Sequence, residues 1–263
     1  MRARLMMTLA CVAASSGPTA HPHQGLLKKY DQVSPRRHGM SIRGVPDEDL
    51  RKGKPVVRRL PGARSRLMSV QDIHAPERVV WDTIMDVPNY PKFVDGCAET
   101  RVYARRPTAT GGRVVKAFYR LRVKPAFRLQ YYLTHTFEPL KHCMTFCLDY
   151  NKRSQLNDMV GYWYVEQLPG PDVWSRVYFS SDAMIPSWLS WAKDPLTRQA
   201  AYKNLYWVEA NAHAAMGLSS RGGKGFAGRA VLGGAAVAIG ARYAMRRSRQ
   251  PLKPELAGAD LVQ

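Results

Sequence analysis

Along residues 70–184 the apolar positions recur mostly at every second residue, and the exceptions mark where the chain turns. Val70, Asp72 and His74 alternate with Gln71, Ile73 and Ala75, which predicts a strand with one buried face. Pro76 ends it, because proline has no N–H to give to a ladder. From Glu77 the period lengthens: Val80, Ile84 and Val87 fall at helical spacing, widened by Val79 and Trp81. Glu77 sits in the first turn, where an acid suits the helix dipole. Pro88-Asn89-Tyr90-Pro91 breaks this helix, and Lys92-Phe93-Val94 begins a second short one that ends near Gly96.

Period two then returns. In Cys97–Arg106, Ala98, Thr100, Val102 and Ala104 alternate against Glu99, Arg101, Tyr103 and Arg105. After the turn at 107–112 (PTATGG), Val115, Ala117, Tyr119, Leu121 and Val123 share one face, with Lys116, Arg120 and Arg122 on the other. Lys124-Pro125 interrupts, and Phe127, Leu129, Tyr131, Leu133, His135 and Phe137 face inward on the next strand. Glu138–Lys141 is a hairpin turn, and His142–Tyr150 returns. A polar loop, Asn151–Asp158, leads to a last hairpin, Val160–Leu168 with Val173–Met184. Six strands at hairpin spacing therefore follow the helices, an antiparallel meander. Asp194-Pro195 then starts a helix, as N-cap and first-turn proline. It runs to about Met216, with Gly217 as its stop. Ala201, Leu205, Val208, Ala212 and Ala215 form its apolar stripe, widened by Trp207.

The flanks read differently. Residues 1–23 combine Arg2 and Arg4, a short apolar run and a small-residue exit, with no acid before Asp31. This is the composition of a cleavable targeting leader, and its apolar run is too short to span a bilayer. Residues 24–64 carry repeated Gly, Pro and Arg with few large apolar groups, which predicts a flexible basic linker. The tail 218–263 is basic and rich in Gly and Ala. Its segment 226–245 reads as a helix inserted in or lying on a membrane, or as an unstructured tail.

Charge sharpens this division. The chain holds 40 Lys+Arg against 20 Asp+Glu, a net +20, but residues 71–217 keep 18 basic and 14 acidic side chains. The surplus lies in the flanks. A nucleic-acid-binding domain concentrates positive charge on its folded face, so nucleic acid is excluded as partner and an anionic membrane surface is favoured. Cys97, Cys143 and Cys147 are an odd set within 65–217, which argues against a disulfide framework. Cys143 and Cys147 lie about 13 Å apart by strand rise, too far to bridge, and read as buried hydrophobes.

The opening unit, strand then Ala75-Pro76-Glu77, helix, and Asp86 followed by Tyr90-Pro91-Lys92-Phe93-Val94, resembles the START-like, polyketide cyclase/dehydrase and lipid transport family. The later run 157–165 (NDMVGYWYV), paired with Ser175–Phe179 and ended by Ile185-Pro186-Ser187-Trp188, is similar to plant and algal plastid members of that group. Coenzyme Q-binding proteins belong to the same superfamily. The resemblance implies an α+β helix-grip (START/Bet v 1-like) fold over 65–217: a curved antiparallel sheet around a long C-terminal helix. It also implies an organellar setting, plastid ahead of mitochondrion or secretory pathway.

A bent sheet around one helix encloses more room than its side chains fill, and such pockets are mostly apolar with a few polar anchors. The inward positions Tyr119, Leu121, Leu129, Tyr131, Leu133, His135, Trp163, Phe179 and Trp207 are the candidate ligand-binding residues. The expected ligand is a hydrophobic small molecule or lipid of quinone, isoprenoid or acyl type, with no cofactor and no metal. No catalytic signature occurs: no G-x-S-x-G, HExxH, C-x-x-C or phosphate-cradling loop. A cyclase or dehydratase would need a paired acid or base, and the inward stripes offer only His135 and the tyrosines. A membrane-tethered interaction protein with a filled core is the third class. His142 and Cys143, as neighbours on a strand, face opposite ways and cannot share an ion. Arg120, Arg122 and Arg176 are expected on the solvated face.

Overall fold

The structure, a computed structural model, describes residues 25–61, 66–124, 127–187 and 193–218. A short helix α1 (Asp47–Leu50) and strand β1 (Val56–Arg59) come first, then β2 (Leu67–Ile73), α2 (Glu77–Met85) and α3 (Tyr90–Phe93). The meander follows as β3 (Cys97–Pro107), β4 (Arg113–Lys124), β5 (Phe127–Glu138), β6 (Cys143–Leu148), β7 (Asp158–Gln167) and β8 (Ser175–Met184). Helix α4 (Lys193–Ala215) closes the order, with Gly217 in the left-handed region at φ +69°, as a helix stop requires. All strands join one curved antiparallel sheet, β1-β2-β8-β7-β6-β5-β4-β3. α4 packs across β2 and β8 and against α2. This is a helix-grip arrangement, and the period-two stripes define its concave face.

The inner face buries Tyr119, Leu129, Tyr131, Leu133, Phe146, Trp163 and Phe179 under α2 and α4. From α4 come Leu205, Trp207, Val208 and Ala212. Ala215, expected in that stripe, is exposed, and His213 is buried instead. The helix is fixed to the sheet by polar contacts as well: the Ser69 hydroxyl donates to the Ala201 carbonyl, and Gln71 Nε2 donates to Glu209 Oε2 at 2.6 Å.

The stretch expected to be a flexible linker is the largest departure from the sequence reading. Residues 25–61 form a second layer over the outer face of the sheet. Tyr30, Met40, Leu50 and Leu60 are buried there against Met68, Val70, Cys143, Val160, Tyr162 and Tyr178. Tyr30 Oη bonds Ser180 Oγ at 2.6 Å, the Leu27 N–H donates to Asp158 Oδ2 at 2.7 Å, and the Tyr162 hydroxyl donates to the Val33 carbonyl. Few apolar residues suffice because all of them face one contact surface. The same layer corrects β2, predicted to bury one face: Met68, Val70 and Asp72 pack outward while Ser69, Gln71 and Ile73 pack inward, all buried.

Arg176 is corrected for the same reason. Its side chain does leave the outer face, but the second layer covers it. Its Nε donates to Asp72 Oδ1 at 2.7 Å and one terminal nitrogen to Asp72 Oδ2 at 2.9 Å and to Asp47 Oδ1 at 2.7 Å. Hydrogen bonding to Asp72 is the main reason its pKa is raised. His142 is likewise not a strand residue; it turns the chain after Lys141 at φ +52°, and its Nδ1 lies 2.7 Å from Glu77 Oε1. The leader 1–23, most of the tail 218–263 and the expected membrane segment 226–245 lie outside the described residues. No helix among the described residues is long and apolar enough to cross a membrane.

Candidate ligand-binding site

Strand pairing places the candidate residues. Tyr119 stands opposite Tyr131 across β4 and β5, and the two rings stack at 5.4 Å. Trp163 stands opposite Phe179 across β7 and β8, with ring centroids 4.5 Å apart. Trp207 reaches down from α4 to within 6.3 Å of Trp163. Leu121 and Leu129 oppose one another farther along β4 and β5. The structure thus gathers every sequence-predicted site residue on one inner surface, with Leu121 only partly buried.

Tyr90 and Phe93 join this surface and are absent from the sequence-predicted set. Trp207 packs against both, 5.0 Å from the Tyr90 ring and stacked on Phe93 at 5.9 Å. Both come from α3, a single turn held by proline, which has no period to read. The Tyr-Pro-Lys-Phe motif is the available signal. Phe146 is a second addition. It faces Gly161 across β6 and β7, where an added Cβ would fall 1.9 Å from the ring. Only glycine lets that ring lie flat on the sheet.

The surface is uncharged. Burial pushes the Tyr90, Tyr119 and Tyr131 hydroxyls up and lowers the His135 imidazole to about 4, so all four are neutral near pH 7. His135 Nε2 lies 2.8 Å from Tyr119 Oη, and its Nδ1 is buried with no hydrogen-bond partner among the described residues. If the Tyr119 O–H donates to Nε2, Nδ1–H is a donor facing no acceptor; in the other tautomer it is a lone pair facing no donor. No carboxylate partners His135 among the described residues; its one hydrogen-bond partner there is the Tyr119 hydroxyl. No group of His, Cys, Asp and Glu suited to a metal occurs among the described residues.

His135 also gives a pH prediction. The unfolded chain binds a proton near 6.5 and the folded chain only near 4, so folding releases it between those values. Stability from this group is complete above 6.5 and is lost as pH falls through the window, in total about 3 kcal/mol. Denaturant unfolding at pH 6.5, 5.5 and 4.5 is expected to show this decline in the wild type and a shallower one in His135→Gln. Equal slopes would show that the imidazole is not held neutral.

Beside the aromatic surface, at the turn end of the β3–β4 hairpin, lies a cleft of about 380 Å³. Met85, Val102 and Val115 form its apolar floor, and Arg105, Arg106 and Arg113 line it. A β-bulge after Val102 shifts the register. Arg105 therefore pairs opposite Val115 and shares its face, where strict alternation sends it outward.

Residues 73–173 match the family described as Polyketide cyclase / dehydrase and lipid transport. Against the curated proteins the sequence has no match. Among solved structures, the chain is similar to TTHA0849 from Thermus thermophilus, at 15% identity and TM-score 0.45 over 57% of this chain and 98% of that one. It is similar to the Zhui aromatase/cyclase from Streptomyces sp. R1128, at 12% identity and TM-score 0.44 over 60% and 98%. It is also similar to a STAR-related lipid transfer protein from Xanthomonas axonopodis, at 16% identity and TM-score 0.45 over 62% and 94%. The matched segment runs from the last residue of β2 to the turn before β8.

Proposed function

We propose that the protein binds a hydrophobic small molecule or lipid between its concave sheet face and α4, and carries or presents it without covalent chemistry. One observation carries the reading: His135 Nδ1 is a buried polar atom left without a partner inside an otherwise apolar, aromatic surface. Buried polar groups are almost always satisfied, and an orphan invites an occupant. A ligand with one hydroxyl or carbonyl beside an apolar body would supply the partner, and a quinone, isoprenoid or acyl chain fits that description. The affinity needs no reaction, because apolar burial contributes roughly 25 cal/mol per Å². The match to a family whose description includes lipid transport agrees with this. Exchange at a membrane surface, within a plastid or another organelle, is part of the proposal; its basis is the sequence of residues 1–23 and 218–263.

Native mass spectrometry after incubation with a membrane lipid extract tests the reading. The wild type is expected to retain a lipid-sized adduct, and Trp163→Ala to lose it while keeping a cooperative unfolding transition. A wild type that remains empty would overturn the proposal.

A further inference from the structure

We propose that the cleft at the end of the β3–β4 hairpin holds the oxyanion head group of an amphiphile, a carboxylate or phosphate, with Arg105 and Arg113 as its contacts. This rests on the reading that the neighbouring concave face accepts an apolar chain.

Two independent features of the chain converge here. The first is the bulge. Tyr103 and Ala104 together oppose Lys116, so Arg105 returns to the inner face opposite Val115, two positions along β4 from Arg113. Both guanidinium groups therefore stand on the side of the sheet that carries Val102, Ala117 and Tyr119. A bulge that re-aims a side chain is a common device beside binding sites. The second feature is charge without compensation. None of Arg105, Arg106 and Arg113 forms an ion pair among the described residues, and no acid lines the cleft. Glu138, on the adjacent strand, accepts from the Thr110 hydroxyl and lies against Gly112 at the edge of the cleft, with no ion pair to these arginines.

The shape favours an amphiphile over a bare ion. The floor of Met85, Val102 and Val115 is apolar and continues into the aromatic surface, and about 380 Å³ lies within the range of small-molecule pockets. Arg113 is already seated over the Phe137 ring at 5.3 Å, which limits the freedom it loses on pairing. A guanidinium fork matches a carboxylate or phosphate in two-point geometry.

Displacement of Nile red from the full-length protein by dodecanoate, dodecyl phosphate, dodecanol and inorganic phosphate tests the assignment. The two anionic amphiphiles are expected to bind about tenfold or more tighter than dodecanol, the scale of one charge-assisted contact. Arg105→Gln/Arg113→Gln is expected to remove that preference and leave dodecanol binding unchanged. Arg101→Gln, which removes an exposed charge from the opposite face of β3, is expected to keep the preference. Equal binding of dodecanol and dodecanoate by the wild type would overturn the head-group assignment and leave the carrier reading standing. An unaltered preference in the double variant would also overturn it. Displacement by inorganic phosphate as effective as by dodecyl phosphate would show a free-anion site instead. Failure of every alkyl compound would sink the carrier reading and this inference with it.

Discussion

Removal of residues 1–61 is expected to abolish cooperative folding of the remaining chain. The segment 25–61 supplies Tyr30, Met40, Leu50 and Leu60, each buried against the outer face of the sheet. Burying a large apolar side chain stabilises by about 1.5–3 kcal/mol, so these four contribute up to about 6–12 kcal/mol, an upper bound because unfolded chains already bury some surface. Domains of this kind are stable by only about 5–15 kcal/mol. The loss thus approaches the whole margin. The truncation also uncovers Met68, Val70, Val160, Tyr162 and Tyr178 as one continuous patch. It strips β1 from β2, leaving the seven-residue strand Leu67–Ile73 as a free edge with Met68 and Val70 uncovered, a template for aggregation. Far-UV circular dichroism during urea unfolding, with size-exclusion chromatography, checks this. A truncated monomer with the wild-type midpoint would show that the second layer is an ornament on an independent core.

Arg176→Met is expected to destabilise the fold by about 3–5 kcal/mol, the range for removing one partner of a buried ion pair. Asp72 has no solvent exposure, and two of its short contacts come from Arg176. Arg51 remains at 3.8 Å, too long to replace them. The same substitution releases Asp47 and so loosens α1 from the sheet. Replacing both partners, as Asp72→Asn/Arg176→Met, is expected to recover much of the loss, since no uncompensated charge stays buried. Urea midpoints for the wild type, the single and the double variant measure the difference. A cost under about 1 kcal/mol for the single variant would mean that the pair behaves as a surface salt bridge.

The concave surface is legible in the sequence because period two is a strong signal over long strands. Tyr119, Tyr131, Leu133 and His135 fall on the inner face from alternation alone, and pairing merely sets them opposite one another. What is not legible has a physical cause in each case. β1 is four residues with two arginines, too short to show a period, and it exists because β2 offers it an edge. The second layer escapes a sequence reading because its buried residues are about ten apart, at a density that resembles a linker; tertiary contact, not composition, orders it. Alternation sends Arg105 to the wrong face because it assumes an unbroken ladder, and the bulge after Val102 breaks it. Tyr90 and Phe93 do not show as lining residues because one helical turn carries no stripe. The opening motif does, however, mark their neighbourhood.

The central claim, that an apolar ligand lodges against the inner aromatic face, is tested most directly by tryptophan quenching with a dibrominated fatty acid, since bromine quenches only rings it approaches closely. Saturable quenching is expected in the wild type, and most of it is expected to vanish in Trp163→Phe/Trp207→Phe. Absence of quenching in the wild type, or the same quenching in the double variant, would contradict a ligand seated between the sheet and α4.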